Sequence, residues 1–406
     1  MQKADFVPEA RGPLDGVRVL DLSRVFAGNS LSFYLGDFGA DVIKVEQPGV
    51  GDALRAIKDD GHSIYWKVMC RNKRSIALDL KHADGVAAVL ALVRDAQILI
   101  ENFRPGDLEK LGMGPDILHA INPKLVIVRI SGWGATGPYR NKLGFGTLIE
   151  AFSGFAAKNG FPGSPPLLPN MGLADLVCGM TGAIATLVAL REAERPDGRG
   201  QVVDLSILDA MVTFLGNDPA AYSVTGRLPD RVGNRGQVAM PRNLYKTSDG
   251  HFMALSASTP TMAHKVLAAI GRADLIAHPD FADNDARMKN ADALDAMIEA
   301  FTTARTLEEN LAYFDRLQIT VGPVNDVALL LADRHILERG VIVEIADDDV
   351  GCIPVPAPPA RLSQTPATLR RPAPRLGEHS REILHEIGWS EDRIERLAAS
   401  GALGVD

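Results

Sequence analysis

Three features of the sequence predict an α/β fold. From the amino terminus to about residue 210, short β-branched runs alternate with segments of helical period, the pattern of a mostly parallel sheet joined by crossover helices. Several runs are apolar at successive positions, as in Ile98-Leu99-Ile100 and Leu125-Val126-Ile127-Val128, which suits strands covered by helices on both faces. Near Tyr222 the texture changes, and after Pro323 it returns to the earlier kind.

Taken in order, strands are predicted at Val17–Leu22, Asp41–Glu46, Ser75–Leu80, Gln97–Glu101, Leu125–Ile130 and Gln201–Leu205, with helices between them at Ser30–Phe38, Ala83–Asp95, Pro105–Ala120, Phe145–Ala156 and Gly172–Glu194. Ligands of such sheets lie at the carboxyl ends of the strands. The loops at Ser23–Asn29, Glu46–Asp52, Asn102–Gly106 and Ser131–Pro138 are therefore the first candidates for a site. Beyond Tyr222 a turn-rich stretch, Gly226–Arg242, leads to a hairpin of Leu244–Thr247 and His251–Ser256, then to helices near Pro260–Ile270, Asp292–Thr303 and Leu307–Leu317. These make a second, smaller α+β domain. The expected division is 1–221, 222–329 and 330–406, with the proline-rich Ile353–Arg375 laid as an extended strap over a surface.

The 51 acidic residues outnumber the 43 basic ones, for a formal charge of −8, and no basic run stands out. Nucleic acid and anionic membranes both demand clustered Lys and Arg, so neither is an expected partner. Cys70, Cys178 and Cys352 lie far apart without a CxxC pair, which argues against a thiolate zinc site and fits a reducing compartment. The longest uncharged apolar run, Leu176–Leu190, has 15 residues, short of the roughly 20 that span a bilayer. Met1–Leu14 lacks an apolar leader, so a cytoplasmic protein is expected.

Gly132-Trp-Gly134-Ala-Thr-Gly137 has GxGxxG spacing directly after a predicted strand, as in a dinucleotide loop. Such a loop works when its third glycine lies in a helix whose amino end receives the pyrophosphate, and Pro138-Tyr139-Arg140-Asn141 has no helical period. We read it as a tight loop rather than a nicotinamide or flavin site. HExxH, EF-hand, GxSxG and Walker A patterns do not occur and the nine histidines are dispersed, so neither a metal centre nor a serine-hydrolase site is expected.

Asp175 stands at the start of a long apolar helix, and Gly172, Asp175, Gly179 and Gly182 share one face of it. The glycines leave room there for another backbone or for a ligand beside the carboxylate. The helix dipole favours the ionised form of a first-turn carboxylate, which suits a nucleophile or base; the plain alternative is an acidic residue stabilising a glycine-packed helix. A second grouping is basic. Arg71, Lys73, Arg74 and Lys81 flank one predicted strand and Arg104 and Lys110 follow the next, either as solvated strand-end charges or as a mouth for a phosphorylated ligand.

Taken in order, Pro13–Leu22, Gly36–Glu46, Asn72–Ile76, Glu101–Gly106, Gly132–Pro138 and Leu376–His379 resemble the class III CoA-transferases, the CaiB/BaiF family, and the similarity runs from about residue 13 to 400. That family includes formyl-CoA transferase, carnitine CoA-transferase, succinyl-CoA:dicarboxylate CoA-transferases and α-methylacyl-CoA racemase. The resemblance implies a Rossmann-like large domain built from both ends of the chain, a small α+β domain inserted between them, and two subunits threaded through each other as an interlocked homodimer. It implies no tightly bound cofactor, with an acyl-CoA thioester and a carboxylic acid as substrates.

By the same resemblance Asp175 is the catalytic aspartate, attacking the donor acyl-CoA to give a mixed anhydride that the CoA thiolate converts to an aspartyl-CoA thioester. The implied CoA contacts are Val25, Phe26, Ala27, Leu78, Lys81, Asn102, Phe103, Arg104 and Lys110, and Gln47 stands where another family arginine lies near the nucleotide. The racemase branch carries a His-Asp pair where this sequence reads Gly144-Phe145-Gly146. Phenylalanine cannot move a proton, so CoA transfer between acids is expected rather than racemisation. Intramolecular transfer within one dicarboxylyl-CoA would use the same parts. Between Gly226 and Met240 there is no counterpart of the glycine-rich lid of formyl-CoA transferase, which points away from oxalate and formate toward a succinyl-CoA-like donor. Arg231, Arg235 and Arg242 are candidates for its far carboxylate, or are plain surface charges.

Overall fold

The computed structural model describes residues 1–404, in two compact units. The first comprises Met1–Ala156, Leu168–Ser223 and the chain from Arg334 onward; the second comprises Ala157–Leu167 and Val224–Asp333.

Six parallel strands form the centre of the first unit: β1 (Arg18–Asp21), β2 (Asp41–Glu46), β3 (Lys73–Leu78), β4 (Ile98–Glu101), β5 (Val126–Ser131) and β6 (Val202–Ser206). Their spatial order is β3-β2-β1-β4-β5-β6, and Leu403–Gly404 pairs antiparallel on the β3 edge. The order reverses between β1 and β4, and at such a switch point a crevice opens beyond the carboxyl ends of the strands. Successive side chains feed two cores. Val19, Val42, Ile98, Ile100, Val126 and Val128 pack on one side with helices that include α1 (Ala27–Asp37). Leu20, Ile43, Ile76, Leu99 and Ile127 pack on the other with α2 (Ala83–Val93) and the carboxyl-terminal helices Ser380–Glu386 and Glu391–Ala399. Burial on both faces, worth about 1.5–3 kcal/mol for each full-sized aliphatic side chain, is why these strands read as unbroken apolar runs.

Two further helices frame the site, α3 (Gly146–Phe152) and α4 (Leu173–Ala193). At 21 residues α4 exceeds the 15-residue apolar run and is long and apolar enough to cross a membrane, yet half of its most apolar window is buried within the protein. It packs on α1 through its glycines: a Cβ on Gly179 would overlap the Ser30 side chain, and one on Gly182 would overlap Leu31 and Leu205.

Several boundaries differ from expectation for local reasons. The strand expected from Ser75 begins at Lys73, because the buried Lys73 and Arg74 side chains that had marked those positions as polar are neutralised by Asp21 and Asp41. The helix expected over Pro105–Ala120 is two short ones, Asp107–Lys110 and Pro115–Ile121, parted at Gly112 with φ +75°. The helix expected to reach Ala156 is broken at Gly154, φ +94°. The first four residues of the expected strap, 353–356, instead complete a strand, Gly351–Pro356, that pairs antiparallel with Ile342–Asp347, and irregular chain starts at Ala357. That remainder is fastened by Asn72, whose amide donates to the Thr368 carbonyl (2.9 Å) and accepts from Arg370 N (2.6 Å), and by the Arg370 guanidinium on the carbonyls of Gly36, Gly39 and Ala40.

The second unit carries a three-stranded antiparallel sheet, with Phe252–Ser256 between Arg242–Lys246 and Val321–Pro323. Its core gathers Tyr245, Met253, Leu255, Val266, Leu294, Ile298 and Phe314. Inside it the Asp295 carboxylate accepts from the Tyr245 hydroxyl (2.6 Å), Asn243 Nδ2 (2.8 Å) and Arg235 Nε (2.6 Å). Ala157–Leu167 is tied to this unit by the Gly233 N–H on the Gly160 carbonyl (2.9 Å) and Arg231 on the Ala157 carbonyl (3.0 Å), links between distant residues that no local pattern reveals.

Candidate active site

The loop after β1 is held from below by buried charge. Asp21 ends β1 and accepts from Ser23 N (3.0 Å) and Ser32 Oγ (2.5 Å), with Lys44 and Lys73 at 3.2 and 3.4 Å. Burial alone would raise the Asp21 pKa; the two lysines and the serine hydroxyls hold it below its ordinary value. Lys44 also donates to the Ser23 carbonyl and pairs with Asp52 at 3.1 Å. Asp52 in turn accepts from Val25 N (2.9 Å), Leu54 N (2.8 Å) and Asn29 Nδ2 (2.8 Å), and against its burial Lys44 and these donors bring its pKa down to about 2. Val25 sits at φ +62°, a left-handed conformation that costs a β-branched residue roughly 1–2 kcal/mol. Asp52 on its N–H and Asn29 on its carbonyl (2.6 Å) keep it there.

Beyond the carboxyl ends of β1 to β4 lies a cavity of about 330 Å³. Leu78, Lys81, Phe103 and Lys110, all expected as CoA contacts, line it together with Gln47. Val25, Phe26, Ala27, Asn102 and Arg104 do not. Asn102 is engaged with the neighbouring loop, accepting from Arg24 N (2.9 Å) and donating to the Arg24 carbonyl (2.8 Å). Arg104 is exposed, and Lys110 is paired with Asp107 at 2.7 Å. Sequence reasoning missed Arg24, which lines the cavity with its guanidinium 5.5 Å from the Phe103 ring centre. Its position as the cation in the loop after the first strand was the available signal.

Four of the six cations expected at a basic mouth do not line the cavity: Arg104 is exposed outside it, and the other three are buried in ion pairs. Arg71 is buried in a bidentate pair with Asp37, Lys73 is on Asp21, and Arg74 is held by Asp41, Glu382 and Glu386. Lys73 and Arg74 begin β3, whereas the cavity lies at its carboxyl end, and a buried cation requires a matched acid. The acids come from α1, β1, β2 and a carboxyl-terminal helix, so a cluster that is basic in sequence is neutral in space. In the second unit Arg235 is likewise committed, to Asp292 and Asp295. Arg242 lines a separate cavity of about 330 Å³ and forms no ion pair among the described residues.

Asp175 lies in the first turn of α4, whose N-cap, Gly172, offers no side chain. Glu150 of α3 takes that role from outside, its Oε1 accepting from Ala174 N at 3.0 Å. The Asp175 carboxylate is half-buried and accepts no hydrogen bond from the described residues. Gly146 faces it so closely that any Cβ there would overlap Oδ2, while a Cβ on Gly172 would rest 3.6 Å from Oδ2 and 4.0 Å from the Phe26 ring. Phe26 of the β1 loop therefore borders the same helix start. Burial, then the like charge of Glu150, push the Asp175 carboxyl up to about 6. The helix dipole, expected to favour ionisation, is outweighed by these two effects. At pH 7 about nine in ten molecules still carry the anion, a more basic one than an aspartate in water.

The glycines at Gly132, Gly134 and Gly137 form no dinucleotide cradle: Gly134 and Gly137 have φ of +86° and +79°, and turns follow until α3 begins at Gly146. This loop instead delivers Gly146 to Asp175. Phe145, expected from the resemblance to stand where the racemase branch has its histidine, is 73% exposed. Gly179 and Gly182 meet α1 and Leu205, so the close approach they permit is helix packing rather than ligand access.

Residues 14–380 match the family described as CoA-transferase family III. The chain is 38% identical over 391 residues to a succinyl-CoA–D-citramalate CoA-transferase of Chloroflexus aurantiacus, covering 95% of this chain and 97% of the relative. It is 34% identical over 401 residues to a succinate–glutarate CoA-transferase of Agrobacterium fabrum, covering 97% and 99%. A crystal structure of a CaiB/BaiF family protein from Brucella suis superposes with a TM-score of 0.82 at 33% identity, covering 93% of this chain and all of that one. Matched along almost its whole length in sequence and in fold, the chain belongs to CoA-transferase family III and is a CoA-transferase.

Proposed function

We propose that this enzyme moves CoA from succinyl-CoA or a similar dicarboxylyl-CoA to a second small carboxylic acid through covalent intermediates on Asp175. The observation that carries the mechanism is a half-buried carboxylate that accepts no hydrogen bond from the described residues and has only the Gly146 backbone packed against it. The ionised carboxylate attacks the donor thioester carbonyl, forming a mixed anhydride and expelling CoA thiolate. The thiolate attacks the aspartyl carbonyl of that anhydride, giving an aspartyl-CoA thioester and releasing the donor acid. The acceptor carboxylate attacks this thioester, again freeing the thiolate. Attack of the thiolate on the new acyl carbonyl then restores Asp175 and releases acceptor acyl-CoA.

The relatives support the choice of substrates, since their names join succinyl-CoA or succinate to citramalate and glutarate. On this reading Arg24, Lys81 and Lys110 receive the CoA phosphates, Leu78 and Phe103 offer apolar surface, and Val25, Phe26 and Ala27 guide the pantetheine toward Asp175. Asn102 acts by fixing the Arg24 backbone, and Arg104 lies outside the cavity lining. We further read the second unit as an insertion and the active form as an interlocked homodimer. Met180, Ile184, Leu187 and Val188 form an exposed apolar stripe along α4 that a second copy would cover. Light scattering on the eluted protein should give twice the chain mass.

Incubation with a panel of acyl-CoAs, followed by intact mass and peptide mapping, should reveal a CoA adduct on Asp175 with dicarboxylyl donors. Transfer activity retained in Asp175→Ala, or an adduct on another residue, sinks the mechanism. Equal turnover of monocarboxylyl-CoAs sinks the donor assignment.

A further inference from the structure

Glu150 is a buried carboxylate that the covalent mechanism does not use. It is 2% exposed, forms no ion pair among the described residues, and spends Oε1 on the Ala174 N–H, the residue immediately before Asp175. A polar side chain this deep is expensive unless it is hydrogen-bonded, and a charge more so unless it is paired. Here the burial is at the start of the helix that bears the proposed nucleophile. The first helical turn has unsatisfied N–H groups, and a side chain from the same segment usually caps them. Gly172 cannot, so α3 supplies the cap from outside.

We propose that Glu150 is a positioning residue for Asp175: from α3 it fixes the first turn of α4 and holds a like charge beside the reacting carboxylate, a repulsion that acylation of Asp175 relieves. This rests on the reading of Asp175 as the nucleophile. In the free enzyme two carboxylates stand at one helix start, Glu150 buried and Asp175 half-buried. In the anhydride and in the thioester the Asp175 oxygen is bonded to carbon or replaced by sulfur, and its charge is gone. Glu150 therefore raises the free state relative to both covalent states, so it favours loading of CoA while making the Asp175 oxygens more basic.

The other ionisable groups on elements packed against α4 do not duplicate this. On α1, Asp37 is paired with Arg71, and Tyr34 is the remaining group. On β5, Arg129 is held by Glu101 and Glu109; on β6, Asp204 accepts from Ala135 N; Asp209 follows on the exposed side of Ile207–Val212. On α4 itself, Cys178 is buried below Asp175 and its thiol is pushed up by burial and by that carboxylate. Of these, Glu150 is the group whose charge acts on Asp175.

The test is Glu150→Gln, in which the amide oxygen can still accept from Ala174 N while the charge is lost. The acid limb of the kcat/KM profile should move down by about 0.5–1 pH unit, and the fraction of enzyme trapped as CoA adduct at a fixed ratio of donor to free acid should fall about three- to tenfold. Glu150→Asp keeps the charge on a shorter arm and should lie between wild type and Gln. If Glu150→Gln does not fold, the Asp variant carries the same comparison. A folded Gln or Asp variant with an unmoved acid limb and unchanged adduct overturns the inference. Asp175→Ala serves as the separate control: if it retains transfer, the nucleophile reading itself has failed, whereas an inactive Asp175→Ala beside a wild-type-like Glu150→Gln condemns only the role given to Glu150.

Discussion

Gly146 faces the Asp175 carboxylate with no room for a side chain between them. The two residues are 29 positions apart, on α3 and α4, and only glycine at 146 lets Asp175 hold its orientation. Asp175 is the tip of a short side chain, so Gly146→Ala is expected to rotate the carboxylate away without unfolding the protein. Misplacing a reacting group by about 1 Å costs on the order of 100-fold. The variant should therefore lose about two orders of magnitude in kcat with a near-normal melting temperature.

Burying the Asp175 carboxylate beside Glu150 carries a stability penalty. Its carboxyl is pushed up to about 6 from an ordinary 3.8, first by burial and then by Glu150. Folding thus favours its protonated form, so the penalty is absent below about pH 3.8, grows as pH rises toward 6, and is complete above it. Asp175→Asn should stabilise the protein at pH 7–8 by about 1–2 kcal/mol, after allowance for partial solvent screening, and should not do so near pH 4. Thermal melts of both proteins across this range check the sign; a gain that persists at pH 4 contradicts the assignment.

Val25 stores strain at the loop between the cavity and Phe26. Val25→Gly relieves roughly 1–2 kcal/mol of left-handed conformation and gives back about 1 kcal/mol through the freer unfolded chain, for a small net gain in stability. The loop is then less rigidly held, and KM for acyl-CoA is expected to rise several-fold. Melting and initial-rate measurements on one variant test both halves.

The redistribution of basic residues separates binding from stability. Lys81 is exposed on the cavity lining, so Lys81→Ala should raise KM for acyl-CoA by about tenfold, less at high salt, with little change in melting. Arg74 is buried among Asp41, Glu382 and Glu386, and Arg74→Ala leaves those acids without their cation. It should destabilise the fold by about 3 kcal/mol while the KM of the folded fraction stays near wild type. Matching KM effects at the two positions would count against this division.

The sequence by itself determined the parallel sheet, because strands buried on both faces must be apolar at successive positions, and Val126-Ile127-Val128 and Ile98-Leu99-Ile100 are. It determined the long helix headed by Asp175, and the ordered motifs that carry the family resemblance. It also showed why Gly132–Gly137 is not a phosphate loop, since no helical period follows it. Tertiary structure decided what surrounds each charge. Arg71, Lys73 and Arg74 look like a phosphate site until Asp37, Asp21 and Asp41, up to 52 positions away, are brought against them. Glu150 and Gly146 look like ordinary helix residues until α3 is laid across the start of α4. Periodicity records which face of an element is buried, whereas the electrostatics of a site depend on which distant elements share the burial, and a one-dimensional pattern does not contain that pairing.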